Sequence, residues 1–342
     1  MKVLITGMAG FIGHALARRL AEDASHEILG IDNLNEYYDA AIKQARLNDL
    51  SGFGNVRFQR LDLTDTEGMQ RLFAETHFDC VVHLAAQAGV RYSLDHPQVY
   101  GQSNLIGHLN VLEGCRRQQV GHLVYASSSS VYGRNAKVPF SVKDSVDQPV
   151  NLYAATKKSN ELMAHAYSYL YGLPTTGLRF FTVYGPWGRP DMALYKFTRN
   201  IFDGRPVELY NQGDMSRDFT YIDDITESIV RILDIVPSHG KDRNDPPYRL
   251  YNLGHGSPVN LMTLVRTLEE ATGIEARCDY LPMQPGDMQH TWADAEPLFA
   301  TTGFRPRTNL ATGVQRFVDW YRHYYDAVGK PYKIKSLASK LG

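Results

Sequence analysis

Lys2-Val-Leu-Ile-Thr6 runs straight into Gly7-Met-Ala-Gly10-Phe-Ile-Gly13, and this junction decides the fold. Branched apolar residues over 2–6 read as a buried strand, and from Phe11 the apolar period becomes helical and continues to residue 22. The three glycines suit a tight turn, a close approach of backbone to a pyrophosphate, and contact between helix and sheet. The helix start offers the N–H groups of Phe11 and Ile12 and the positive end of its dipole to an anion. Asp32 ends the next apolar run, 19 residues after Gly13. A carboxylate at that place accepts both hydroxyls of a ribose and repels a 2′-phosphate, so the expected dinucleotide is NAD rather than NADP, with Asn33 beside it.

The same alternation continues along the chain. Strands are expected at 2–6, 27–32, 56–60, 80–84, 122–126 and 175–181, and helices at 11–22, 67–75, 103–118 and 153–171. Such alternation specifies an α/β fold with a parallel sheet covered by helices on both faces. After Tyr184 the texture changes to loops rich in glycine and proline, while 219–234 reads as helix and 250–254 as strand. The expected division is residues 1–183 plus 218–254 for the dinucleotide, and 184–217 plus 255–330 as a smaller, discontinuous substrate domain. Residues 331–342 lack a packing pattern and are expected to form a mobile tail.

Composition narrows the function. A chain of 342 residues with a formal net charge of −1 has no basic face for a nucleic acid. Cys80, Cys115 and Cys278 lack metal-ligand spacing and read as reduced thiols of a cytosolic protein; no metal is expected. The first apolar run ends at Thr6-Gly7, so neither a signal peptide nor a membrane span is expected.

Tyr153 and Lys157 stand one helical turn apart in Leu152-Tyr-Ala-Ala-Thr-Lys-Lys, behind the serine run Ser127-Ser-Ser-Ser130. An ammonium beside a phenol holds it as phenolate below its usual pKa of ~10, which makes a general base. Seven motifs then occur in order: the glycine turn, His83-Leu-Ala-Ala, Ser-Ser-Ser-Val-Tyr-Gly133, Tyr153-x-x-x-Lys157, Arg179-Phe-Phe-Thr-Val-Tyr-Gly-Pro186, Arg217-Asp-Phe-Thr-Tyr-Ile-Asp-Asp224 and Pro285-Gly-Asp287. Together they resemble the nucleotide-sugar epimerases and dehydratases of the extended short-chain dehydrogenase/reductase family, most closely its UDP-glucuronate 4-epimerases.

That resemblance implies a Rossmann-type doubly wound sheet and a tightly held NAD+ that oxidises the sugar at C4 and returns the hydride to the other face of the keto-sugar. By the same resemblance Tyr153 takes the C4 hydroxyl proton, Lys157 lowers its pKa and holds the nicotinamide ribose, and Ser128 completes the relay. Asp62 and Leu63 flank the adenine, Leu84, Ala85 and Gln87 lie along the cofactor, and Asn104 supports the site. Ser127 and Ser129 are substrate contacts. Arg217 meets the diphosphate, Lys196 to Thr198 and Tyr210 surround uracil, and Asp287 accepts ribose hydroxyls.

Thr182 and Arg189, where relatives acting on neutral hexoses carry Asn at the first position, suit a sugar carboxylate. Ser130 replaces the acidic residue of the dehydratases and decarboxylases, which argues against both activities. A homodimer is implied, through a bundle of helices 103–118 and 153–171. The alternatives are a UDP-glucose/UDP-galactose 4-epimerase, a UDP-glucuronate decarboxylase-like enzyme, and a silent nucleotide-sugar-binding relative.

Overall fold

The computed structural model describes residues 1–240, 242, 245–284 and 287–329. The expected tail at 331–342, and Pro285 and Gly286 of the last motif, lie outside them. Val3, Leu4 and Ile5 of β1 (Lys2–Thr6) are wholly buried, as befits a central strand with a neighbour on each side. β2 (Glu27–Asp32) and β3 (Val56–Arg60) extend the sheet on one side of it; β4 (Cys80–His83), β5 (His122–Ser128) and β6 (Thr175–Phe180) extend it on the other. β7 (Thr182–Tyr184), β8 (Val207–Leu209) and β9 (Ser216–Tyr221) follow, then β10 (Tyr248–Leu253), β11 (Pro258–Asn260) and β12 (Cys278–Tyr280).

The main sheet has seven parallel strands in the order β10-β6-β5-β4-β1-β2-β3. Its order reverses between β1 and β4, and in such sheets ligands bind beyond the carboxyl ends of the strands at this reversal. One core layer packs helix Phe11–Ala21 against helix Ile222–Leu233 on one face. A second lies under helices Thr66–Glu75, Gly107–Gln118 and Leu152–Tyr171 on the other. β7, β9 and β11 form a three-stranded sheet, and β8 pairs with β12.

Two expectations are corrected. Residues 219–221 belong to β9, and the helix begins at Ile222, where Asp223 and Asp224 in its first turn complement the helix dipole. Residues 103–118 are not one regular helix: Gly101–Ile106 is a π-helical turn and the α-helix starts at Gly107. The Asn104 carbonyl accepts a 2.6 Å hydrogen bond from Asn160 Nδ2, an outside donor that competes with the helical ladder. Helix Ala40–Leu50 was not expected at all. Among the described residues no helix is long and apolar enough to cross a membrane, and no cluster of three or more potential metal ligands is present.

Candidate active site

A cleft of about 880 Å3 lies over the strand ends, and the site residues named from the sequence line it except Asn104 and Thr198. At its floor Gly10 begins helix Phe11–Ala21 with no side-chain cap and no acidic residue in the first turn, so the leading N–H groups face an anion without competition. The glycines are required mainly by the turn itself. A Cβ on Gly13 would lie 2.2 Å from the Gly7 carbonyl oxygen, and Gly7, at φ +76°, approaches the Ala85 backbone.

Asp32 accepts a 2.8 Å bond from the Leu34 N–H, and burial pushes its carboxyl up against the pull of Lys43 and Arg46. Asn33 donates to Asp62 at 2.8 Å, so these two residues form one unit at the edge of the cleft. Leu63, Leu84, Ala85 and Gln87 complete this wall. The chemistry fits a dinucleotide: bare helix N–H groups for phosphate and a carboxylate at the end of β2 for ribose hydroxyls.

Asn104 braces the wall from behind. Its Oδ1 accepts from the Gln87 N–H at 2.8 Å, and its Nδ2 donates to the Gln87 carbonyl at 3.0 Å and to Thr156 Oγ1 at 3.1 Å. It therefore fixes the Gln87 loop to the helix that carries Tyr153.

Tyr153 and Lys157 occupy the first two turns of helix Leu152–Tyr171, whose N-terminus is capped by the Asn151 side chain. Lys157 is 4% exposed and donates at 2.9 Å to the Ala126 carbonyl, which precedes the serine run at the end of β5. Burial alone drives its pKa down from 10.5 to about 8. Burial also pushes the Tyr153 phenol up, opposed by a hydrogen bond with Ser128 and by the charge of Arg189. In this structure the Lys157 ammonium donates to the Ala126 carbonyl, and the groups acting on the phenol are the surrounding burial, Ser128 and Arg189.

The serines are not equivalent. Ser127 donates to Glu161 Oε1 at 2.6 Å, and Glu161 is held by a buried bidentate pair with Arg179 at 2.8 Å on both arms. Its proton is thus committed, leaving only lone pairs for the cleft. Ser128 Oγ accepts from the Ser130 N–H, capping the short 3₁₀ turn Ser129–Tyr132, and donates to Ser130 Oγ at 3.2 Å.

On the opposite wall Arg217 is anchored by the Ser216 and Gln289 carbonyls, and burial lowers its pKa while Asp287 opposes. Tyr210 donates to Glu208 at 2.9 Å. Lys196 is exposed at the rim; Thr198, expected beside it, is turned into the core and bonded to the Leu194 carbonyl. Thr182 lines the cleft. Arg189 is not free: it forms a two-armed pair with Asp191 at 3.0 and 2.5 Å, and Asp191 also accepts from the Tyr37 hydroxyl at 3.1 Å.

Sequence reasoning missed Asp191, Tyr37, Lys43 and Arg91. Arg91 spans the cleft, its guanidinium 4.5 Å from the centre of the Tyr210 ring and 3.3 Å from Asp287. The available signals were an acid two residues after Arg189 and a lone arginine just beyond the His83-Leu-Ala-Ala motif.

The NAD dependent epimerase/dehydratase family matches residues 3–254. The chain is 48% identical over 336 residues to a Rhizobium meliloti protein named probable UDP-glucuronate 4-epimerase, covering 95% of this chain and 98% of that one. A UDP-glucuronic acid 4-epimerase from Bacillus cereus, solved with UDP-glucuronic acid and NAD, has a TM-score of 0.87 at 31% identity over 95% of this chain and 100% of that one. A UDP-glucose 4-epimerase from Thermotoga maritima, solved with UDP-glucose, gives 0.83 at 28% identity over 95% and 99%.

Proposed function

We propose that this chain, which belongs to the NAD dependent epimerase/dehydratase family, interconverts UDP-glucuronate and UDP-galacturonate by NAD-dependent epimerisation at C4. The observation that carries the reading is the single cleft running from the bare helix end at Gly10, past Tyr153 and Lys157, to Arg217 and Asp287. A dinucleotide and a nucleotide-sugar meet there only at the phenol. Similarity to a named UDP-glucuronate 4-epimerase at 48% identity supports the choice of sugar.

Tyr153 acts as the base for the C4 hydroxyl and returns the proton when the keto-sugar is reduced on its other face. Ser128, its hydrogen-bonding neighbour, stabilises the phenolate. Lys157 fixes the helix to β5 and holds the nicotinamide ribose. NAD, when bound, supplies a hydride acceptor and a further positive charge beside the phenol. Asp32 takes the adenosine ribose, with Asn33 and Asp62 beside it.

Arg217 and Arg91 meet the diphosphate, Tyr210 and Lys196 flank uracil, and Asp287 takes the second ribose. Ser129, Thr182 and Arg189 face the sugar carboxylate, with Asp191 setting how much positive charge Arg189 offers. Ser127, acceptor-only, takes a sugar hydroxyl.

Residues 1–183 with 218–254 serve the dinucleotide, and 184–217 with 255–330 the nucleotide-sugar. The chain works in the cytosol as a homodimer. The exposed Ile106, Leu162, Tyr169 and Leu170 on the helices at 101–118 and 152–171 support a two-fold helical interface. Incubation with UDP-glucuronate and, separately, UDP-glucose, followed by NMR of the products, tests the reaction. Turnover of glucose alone overturns the choice of sugar, and turnover of neither overturns the activity.

A further inference from the structure

Arg46 is among the largest wholly buried side chains, at 0% exposure. It sits on helix Ala40–Leu50, whose buried face is Ile42, Lys43, Arg46 and Leu50. Among the described residues its guanidinium donates only to neutral oxygens. Nη1 reaches the Ala9 carbonyl, inside the glycine turn, and the Tyr38 hydroxyl, both at 2.8 Å. Nη2 reaches the Trp187 carbonyl at 2.6 Å and the Gly188 carbonyl at 3.5 Å.

These contacts join two distant segments. Ala9 immediately precedes Gly10, the start of the helix that faces phosphate. Trp187 and Gly188 immediately precede Arg189 on the sugar wall. The second segment holds a costly conformation, because Trp187 has φ +64°, a region that bulky L-residues avoid. Such backbone persists only where its surroundings over-determine it. Trp187 is wedged by His14, Trp320 and Tyr324, with ring centroids 5.4, 5.3 and 5.5 Å away. Arg46 fixes its carbonyl.

The charge points the same way. A buried guanidinium with only neutral acceptors is expensive unless an anion stands near it. Arg46 and Lys43 both act on the Asp32 carboxylate at the dinucleotide end of the cleft. An anion placed at the glycine turn adds a further counter-charge near the guanidinium.

We propose that Arg46 is a positioning residue that couples occupancy of the glycine turn to the Gly185–Arg189 loop, so that the bound dinucleotide sets the sugar-reading wall. The proposal rests on the NAD-dependent reading above. NAD at the turn stabilises the guanidinium, the guanidinium holds the Trp187 and Gly188 carbonyls, and Arg189 is thereby presented to the sugar. Binding of NAD and of UDP-glucuronate is then positively coupled, in both directions.

The test uses full-length protein stripped of NAD, carrying Tyr153→Phe so that bound sugar is not turned over. Calorimetry gives the Kd for NAD, and the Kd for UDP-glucuronate and for UDP with and without NAD. With Arg46 present, NAD tightens UDP-glucuronate by about tenfold or more and leaves UDP, which lacks the sugar, nearly unchanged. Arg46→Met weakens NAD by about tenfold and abolishes the coupling. Arg46→Lys, which keeps the charge but cannot fork between two segments, recovers NAD affinity in part and not the coupling.

A purely structural role would lower the thermal midpoint and leave the coupling ratio unchanged. A folded Arg46→Met protein with unaltered NAD affinity and coupling overturns the proposal. Should the variants fail to fold, hydrogen exchange on the parent decides: NAD alone slows exchange at residues 187–192, and unchanged exchange there overturns it. Parent protein that binds no NAD overturns the proposed function and the clamp with it.

Discussion

Lys157→Met should kill activity yet stabilise the protein at neutral pH. The ammonium is 4% exposed, and burial draws its pKa from 10.5 down to about 8. That gap corresponds to ~3 kcal/mol of destabilisation of the charged form in the folded state, at about 1.4 kcal/mol per tenfold change in proton affinity. Against it stands the bond to the Ala126 carbonyl, whose loss costs ~1–3 kcal/mol if no water replaces the donor. Methionine fills the space of the stem.

At pH 7 the variant is therefore the more stable by ~1 kcal/mol. The sign of the pH dependence is fixed. Below pH 8 the lysine is charged in both states, and the folded protein bears the whole cost. Between 8 and 10.5 the unfolded chain keeps the proton that the folded chain has lost, so wild-type stability rises relative to the variant by ~3 kcal/mol. The two curves should cross, with wild type the more stable near pH 10.5. Groups common to both proteins cancel in the difference. Urea midpoints of NAD-stripped wild type and Lys157→Met from pH 7 to 10.5 give the measurement. A difference that stays flat across this window, or wild type already the more stable at pH 7 by more than the lost hydrogen bond, refutes the assignment of Lys157 as a strained buried cation.

Tyr153→Phe should lose turnover while keeping its fold and NAD affinity, because only the proton-accepting oxygen is removed; a tenth of wild-type activity would be too much for the proposed role. Asp32→Ala should weaken NAD by ~1.5–3 kcal/mol through loss of charge-assisted bonds and narrow the preference over NADP, as calorimetry with both nucleotides would show; equal wild-type affinity for the two speaks against Asp32. Arg189→Ala should lose ~2–4 kcal/mol of transition-state stabilisation on UDP-glucuronate, part of it because Asp191 is left half-buried without its cationic partner. The double variant Arg189→Ala/Asp191→Ala should recover activity on UDP-glucose but not on UDP-glucuronate, and equal recovery on both would assign Arg189 to the loop rather than to the acid.

What the sequence disclosed was mostly local. The first three strands and the helix after the glycine turn follow from short runs of apolar period, and the strand register then places Asp32, His83 and Ser128 at neighbouring strand ends without further information. Helix Ala40–Leu50 escaped because its buried face carries Lys43 and Arg46, so the apolar period that marks a helix is broken by charge. The boundary at 221/222 escaped because β9 passes into its helix with buried residues on both sides of the junction and no intervening glycine or proline.

The electrostatic state of the site was the least legible part. The four-residue spacing of Tyr153 and Lys157 was read as an ammonium aimed at a phenol, while the fold aims it at the Ala126 carbonyl. Arg189 was read as a partner for a sugar carboxylate, while in the fold Asp191 pairs with it and Tyr37, from a distant segment, donates to Asp191. Lys43, Arg46 and Lys157 have in common that each is an ionisable group withdrawn from water, an arrangement that stability alone disfavours. Local rules fail at these positions because folding is not what the charges serve. Lys43 and Lys157 line the cleft and Arg46 holds the Ala9 carbonyl of its glycine turn, which is independent support for the place of the chemistry.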